Sequence, residues 1–136
     1  LENNGDLTMA GIIKTKKFLQ STLTAEFGGT TSIPTKAQVG DGTTAASEDD
    51  TTLENQNPVS DFNFQTNYPN IDLNNLFAET RFRLGTTEAN GVLITEAGNL
   101  DASDNLKDRA LFSSISKTSD DIAIISIKTK ARNVQP

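Results

Sequence analysis

From residue 62 to residue 130 the chain is a succession of short runs of β-branched, aromatic and aliphatic residues, each closed by a polar turn segment. That pattern limits the fold more than any other feature. Phe62, Phe64, Thr66 and Tyr68 alternate with Asn63, Gln65 and Asn67, which in an extended chain puts the larger side chains on one face and the amides on the other. After Pro69, the run 74–87 places Ala78, Thr80, Phe82 and Leu84 on one side, with Glu79, Arg81 and Arg83 on the other. Three further runs, GVLITEAGNL (91–100), LKDRALFS (106–113) and DIAIISIKTKA (121–131), are of strand length and rich in Ile, Leu, Val, Thr or Phe. At least five strands with polar turns predict an all-β fold, an antiparallel β-sandwich or small barrel whose two layers fill one core. With no tryptophan present, that core should be aliphatic, with Phe62, Phe64, Phe77, Phe82 and Phe112 as its largest pieces.

Upstream, residues 28–61 are rich in Gly, Thr, Ser and Asp and read mostly as loop, with one strand candidate near Lys36–Val39. Ser47 followed by Glu48, Asp49 and Asp50 favours a short helix reaching Leu53, two turns at most, because a serine oxygen and acidic side chains suit a helix start. Between residues 12 and 23, Ile12, Ile13, Lys16, Leu19 and Leu23 fit a helical stripe, while DLTMAG and IIKTKKF also read as extended; periodicity leaves both open. The expected division is an N-terminal extension over 1–26 and a β-sandwich-like structural domain over 27–136. A chain of 136 residues is long enough for one domain with a real core. It begins with Leu, which suggests processing or a longer parent polypeptide.

Composition removes whole classes of chemistry. The chain has no cysteine, hence no disulfide, zinc-thiolate site or thiol nucleophile, and no histidine, the side chain most used as a base near neutral pH. Lys plus Arg number 12 against 18 Asp plus Glu, a net charge of −6, which argues against a nucleic-acid partner. No run approaches the roughly 18 apolar residues of a membrane span, and LENNGDLT lacks the features of a secretory signal, so we expect a soluble chain with no membrane insertion.

Three acidic patterns invite a site. Asp101, Asp104 and Asp108 lie close enough in sequence to bind a hard cation such as calcium, but NLDASDNLKDRALF also reads as a hairpin whose Asx residues stabilise the turn. The stretch has no central glycine and no flanking helices, so the turn is the expected reading and no metal ligand is assigned. Gly40-Asp41-Gly42 lacks the Gly-Lys-Ser/Thr ending of a phosphate loop and reads as a tight glycine turn. Glu79, Glu88 and Glu96 are the candidates for a hydrolytic carboxylate pair, with a solvated face or cross-strand pairing as the expected reading. The basic cluster of IIKTKK (12–17) reads as a solvated face, or a surface for an acidic partner. No catalytic, cofactor-binding or metal-binding residue is assigned, no cofactor is expected, and the chain is expected not to be an enzyme.

Two blocks carry a resemblance. TKAQVGDGTTAASEDDTTLENQ (35–56) is similar to a segment of tail, baseplate and fibre proteins of tailed phages and tailed archaeal viruses: a strand ending in Val-Gly, then Gly-Thr-Thr-Ala and a Ser-led acidic stretch running to a leucine. The block 89–129 resembles the closing half of the same proteins, with its Ile-Thr-Glu-Ala-Gly strand, Asp-rich hairpin, Arg-Ala-x-Phe strand, Ile-x-Lys-Thr and last aliphatic strand. Asn99 and Leu100 depart from the Leu-Phe pair usual there. NNGDLTMAG (3–11) resembles repeats of phage fibre shafts, which usually belong to homotrimers, so residues 1–26 are expected to include the end of such a repeat. The resemblance implies a non-enzymatic virion protein that self-associates and packs on other tail or capsid proteins. The alternatives are a capsid decoration or head-tail connector protein, or a host-receptor-binding module using loops 40–57 and 99–105.

Overall fold

The computed structural model describes residues 6–9 and 12–131, and over them the chain is a β-sandwich. The elements are β1 (Asp6–Met9), β2 (Ile13–Lys14), α1 (Lys16–Glu26), β3 (Lys36–Gly40), β4 (Phe62–Asn63), β5 (Asn70–Asp72), β6 (Phe77–Leu84), β7 (Leu93–Leu100), β8 (Asp108–Ser116) and β9 (Ala123–Lys130). One sheet has the order β1-β9-β6-β5, the other β2-β8-β7-β3-β4; among the described residues no strand pair joins them, and the two sheets pack as a sandwich. The pairings are antiparallel except β1 on β9.

The predicted alternation decides which residues fill the space between the sheets. On β6 Thr80, Phe82 and Leu84 are buried, and on its neighbour β9 Ala123, Ile125 and Ile127 are. Facing them are Ala37 and Val39 from β3, Phe62 from β4, Ile94 and Ala97 from β7, and Ala110 and Ile115 from β8. Ile94 and Ala97 are three positions apart yet both point inward, because a bulge between Ile94 and Glu96 shifts the strand by one parity. Phe62 and Phe82 stack across the layers with ring centroids 5.9 Å apart. Phe64 and Phe112 are half-buried against this core, whereas Phe77 lies on the outer face with the Lys128 ammonium 4.8 Å from its ring centre.

Hydrogen bonds as well as apolar contact join the sheets. Thr80 donates to Asn99 Oδ1 at 2.9 Å, Asn99 donates to Asp108 from both its backbone and side-chain nitrogens at 2.9 Å, and Thr129 donates to Asp108 at 3.1 Å. The network runs from β6 through β7 and β8 to β9. Burial pushes the Asp108 carboxyl up, and the bonds from Asn99 and Thr129 only partly offset it.

Two local expectations are corrected. The alternation from Phe62 gives a strand only to Asn63, because Gln65–Tyr68 closes a turn with Asn67 at φ 72° and Tyr68 N–H donating to Gln65 O. Ser47–Asp50 is a single hydrogen-bonded turn in place of the expected helix: Ser47 N–H donates to the Asp50 carboxylate, Asp49 N–H to the Ser47 hydroxyl and Asp50 N–H to Ser47 O. The N-terminal ambiguity divides at Thr15, which ends β2 and caps α1, its hydroxyl accepting from Phe18 N–H while donating to Leu106 O at 2.6 Å. Helix α1 buries no residue and ends at Phe27–Gly28, where Gly28 supplies φ 85°. Of the fibre-like stretch, Asp6–Met9 forms β1 and residues 3–5, 10 and 11 lie outside the described residues.

Candidate functional site

The densest polar construction is a carboxylate–guanidinium pair on the outer face of the five-stranded sheet. The bulge turns Glu96 outward from β7, and Arg109, on the adjacent β8, sits beside it. Both are buried, with 0 % and 2 % of their side chains exposed, and Arg109 Nε donates to Glu96 Oε2 at 2.7 Å. Two buried charges survive only if their remaining hydrogen-bonding capacity is filled, and here loop 41–61 fills it. Glu96 accepts backbone N–H groups from Gly42 (3.2 Å), Glu54 (3.1 Å) and Asn55 (2.9 Å); Arg109 donates to Thr44 O (2.9 Å) and the Asp50 carboxylate (3.1 Å). Thr95 Oγ1 adds a bond to Gly42 O at 2.6 Å. The loop is therefore a third layer, fastened to the sheet at its middle.

Glycines make the approach possible. A Cβ on Gly40 would stand 2.3 Å from Asn55 O and 2.5 Å from Glu96 Oε1, and one on Gly42 2.7 Å from the same oxygen. The Gly-Asp-Gly stretch thus serves close approach to a carboxylate, and neither glycine has a positive φ. Beside this cluster Leu53 packs on Leu100 and Leu106, a small second core beneath the loop.

The hairpin carrying Asp101, Asp104 and Asp108 separates the three carboxylates. Asp101 is the turn's organiser: Oδ1 accepts from the N–H groups of Ser103 and Asn105 at 2.9 and 3.0 Å, and Oδ2 from the Asn105 side chain at 2.9 Å and the Ser32 hydroxyl at 2.5 Å. Burial pushes this carboxyl up, but the bonds from Ser32, Asn105 and Ser103 outweigh it and hold the pKa at about 2. Asp104, with φ 66°, points to solvent and pairs with Lys36, which also reaches Asp61 at 2.9 Å. Asp108 faces the interior, and no group of acids among the described residues is arranged to hold a metal ion. Behind the turn Lys107 is buried and donates to Ser21 at 2.6 Å; burial holds its pKa below the usual lysine value.

The glutamates also lie apart. Glu79 is on the outer face of the four-stranded sheet, bonded to Arg81 at 3.1 Å, Glu88 accepts from Gly85 N–H at 2.8 Å inside a turn, and Glu96 is on the opposite side of the sandwich. Of the basic cluster, Lys16 pairs with Asp49, and Lys14 donates to Lys130 O at 2.6 Å. A cleft of about 980 Å³ between α1 and the β5–β6 hairpin is lined by Leu19, Ile71, Leu73, Leu76 and Phe77, with Lys14 and Asp72 at its margin. It contains none of the candidate glutamates.

The expected cross-strand pairing holds for Glu96, whose partner is Arg109 on the adjacent β8, but neither Arg109 nor Asp50 was singled out as that partner. The usable signal was an acid and an arginine within consecutive predicted strands, each followed by an alanine that faces the core, Ala97 and Ala110. No protein family, curated protein or solved structure matches the chain.

Proposed function

We propose that the chain is a non-enzymatic structural component of a tailed virus particle, placed in the tail, baseplate or fibre, and that it works by self-association and by packing on neighbouring virion proteins. The observation that carries this reading is the fate of the two blocks that resemble such proteins. Asp50, from the first block, and Glu96 and Arg109, from the second, are the partners of one buried tie, so the matching residues are engaged with each other in holding a layered surface. Protein-specific antibody labelling and mass spectrometry of purified particles test it. A few to a few dozen copies per particle support the tail, hundreds indicate a capsid decoration protein, and absence from particles refutes both.

A second reading is favoured by one feature. The segments named above as receptor loops, 40–57 and 99–105, are contiguous, since Leu53 packs on Leu100, and Thr52, Leu53 and Gln56 line one pocket with Leu100 and Asp104. A host-binding role predicts that the isolated protein binds host cells and that changes at Ala102, Ser103 and Thr43 abolish binding while leaving the fold intact.

A further inference from the structure

The two outer faces of the sandwich carry opposite charge. Loop 41–61, laid over the five-stranded sheet, holds Asp41, Glu48, Asp49, Asp50, Glu54 and Asp61 and no lysine or arginine of its own; Lys16, Arg109 and Lys36 pair with Asp49, Asp50 and Asp61, and among the described residues Asp41, Glu48 and Glu54 make no ion pair. On the other side, inward burial of Thr80, Phe82, Leu84, Ala123, Ile125 and Ile127 forces Arg81, Arg83, Lys128 and Lys130 onto the outer face of β6 and β9. Among the described side chains, the acids of β5, β6 and β9 on that face are Asp72, whose carboxylate is occupied by Asn74 and Asn75, and Glu79, paired with Arg81. Arg83 and Lys130 are exposed, and Phe77 and Ile124 lie half-buried between the cations.

We infer that the basic outer face of the β6–β9 sheet is a docking surface for a second copy of this chain, which presents its acidic loop layer to it. The occupant follows from charge complementarity within one sequence: the face that β6 and β9 make positive has its counterpart on the far side of the same molecule. Because the two surfaces differ, the contact is heterologous, and repetition generates a ring or a filament instead of a closed twofold pair. The inference rests on the self-association proposed above and supplies its geometry. Copies with a net charge of −6 repel at long range, but at about 0.1 M salt the screening length is roughly 10 Å, so distant like charges fade while opposed charges in contact do not.

The test is sedimentation of the purified protein over a concentration series at about 0.1 M and about 1 M salt, where screening lengths are roughly 10 and 3 Å. The expected result is association at the lower salt that weakens at the higher. In the variant Arg83→Glu/Lys130→Glu the apparent Kd should rise by about tenfold or more, as like charges are then opposed. Mixing it with Glu48→Lys/Asp49→Lys should restore mixed oligomers. The absence of native cysteine permits a direct check of direction: Arg83→Cys and Glu48→Cys proteins should cross-link with each other upon oxidation, and neither with itself. A wild-type monomer under all conditions overturns both this contact and the proposed self-association. Oligomers that ignore salt and charge reversal, or Arg83→Cys forming only its own dimer, overturn the contact and leave self-association standing.

Discussion

The replacement Glu96→Gln is the sharpest test of the tie beneath the acidic layer. Glutamine keeps the size of the side chain and one acceptor oxygen, which retains the bonds from Gly42 and Asn55. The second oxygen becomes an amide nitrogen facing two donors, Arg109 Nε–H and Glu54 N–H. Removing one partner of a buried pair leaves the other charge uncompensated, at a cost of about 3–5 kcal/mol. At about 2.1 cal/mol/K per residue, 136 residues give an unfolding entropy of about 0.29 kcal/mol/K, so the melting temperature should fall by roughly 10–17 °C. Loop 41–61 has no trypsin site but contains Glu48 and Glu54, so a glutamate-specific protease reports its opening. If release of the loop carries about 3 kcal/mol of the loss, cleavage there should accelerate by roughly 100-fold, because each 1.4 kcal/mol is tenfold in the open population. Replacing both partners, Glu96→Met with Arg109→Leu, should recover part of the loss, since no charge is then left unpaired. A melting temperature within about 2 °C of wild type, together with unchanged cleavage, would refute the reasoning.

Other expectations follow from the hairpin and the sheet. The Asp101 carboxyl is held at about 2 in the folded protein against about 3.9 unfolded, so it stabilises the fold at neutral pH by about 2–3 kcal/mol. Because its folded value is the lower one, that contribution is present above about pH 4 and is lost as pH falls toward 2. Urea denaturation between pH 5 and 2 (about this range) should therefore show a shallower loss in Asp101→Asn than in wild type. A Cβ on Gly98 would meet Asp108 O at 2.4 Å and Leu106 Cδ1 at 2.8 Å, and backbone cannot yield as a side chain can. Gly98→Ala should cost about 1–3 kcal/mol in chemical denaturation, and an unchanged midpoint would contradict the close packing of β7 on β8. Calcium or a chelator should leave the melting temperature unmoved, since Asp101, Asp104 and Asp108 are engaged with different partners; a calcium-dependent rise would return the hairpin to the status of a cation site.

Strand identity was legible because period-2 alternation survives single-residue inspection. Ala78, Thr80, Phe82 and Leu84 line the inner side of β6 as read, and the three last apolar runs became β7, β8 and β9. What failed was local competition. From Phe62 the same alternation continues through Tyr68, yet a turn with Asn67 at positive φ cuts the strand at Asn63, and asparagine is a residue that tolerates that backbone angle. The acidic run after Ser47 satisfies a helix start and a tight turn equally; the tie to Arg109 takes up Asp50, and that partner lies 59 positions away. The rest of the Glu96 cluster, beyond its cross-strand pair with Arg109, was illegible for a related reason. A bulge sets which way Glu96 points, and its backbone donors come from a loop with no periodic pattern.

Glu96 grips loop 41–61 through main-chain N–H groups of Gly42, Glu54 and Asn55. Main-chain donors are the same whatever side chain follows, Pro excepted. The outermost positions of the layer, such as Thr43, Ala45, Glu48 and Thr52, can thus be rewritten without loosening the anchor. The sandwich offers a fixed handle and an interchangeable label: one buried carboxylate holds the wrapping in place while the lettering on it stays free to suit whatever it must meet.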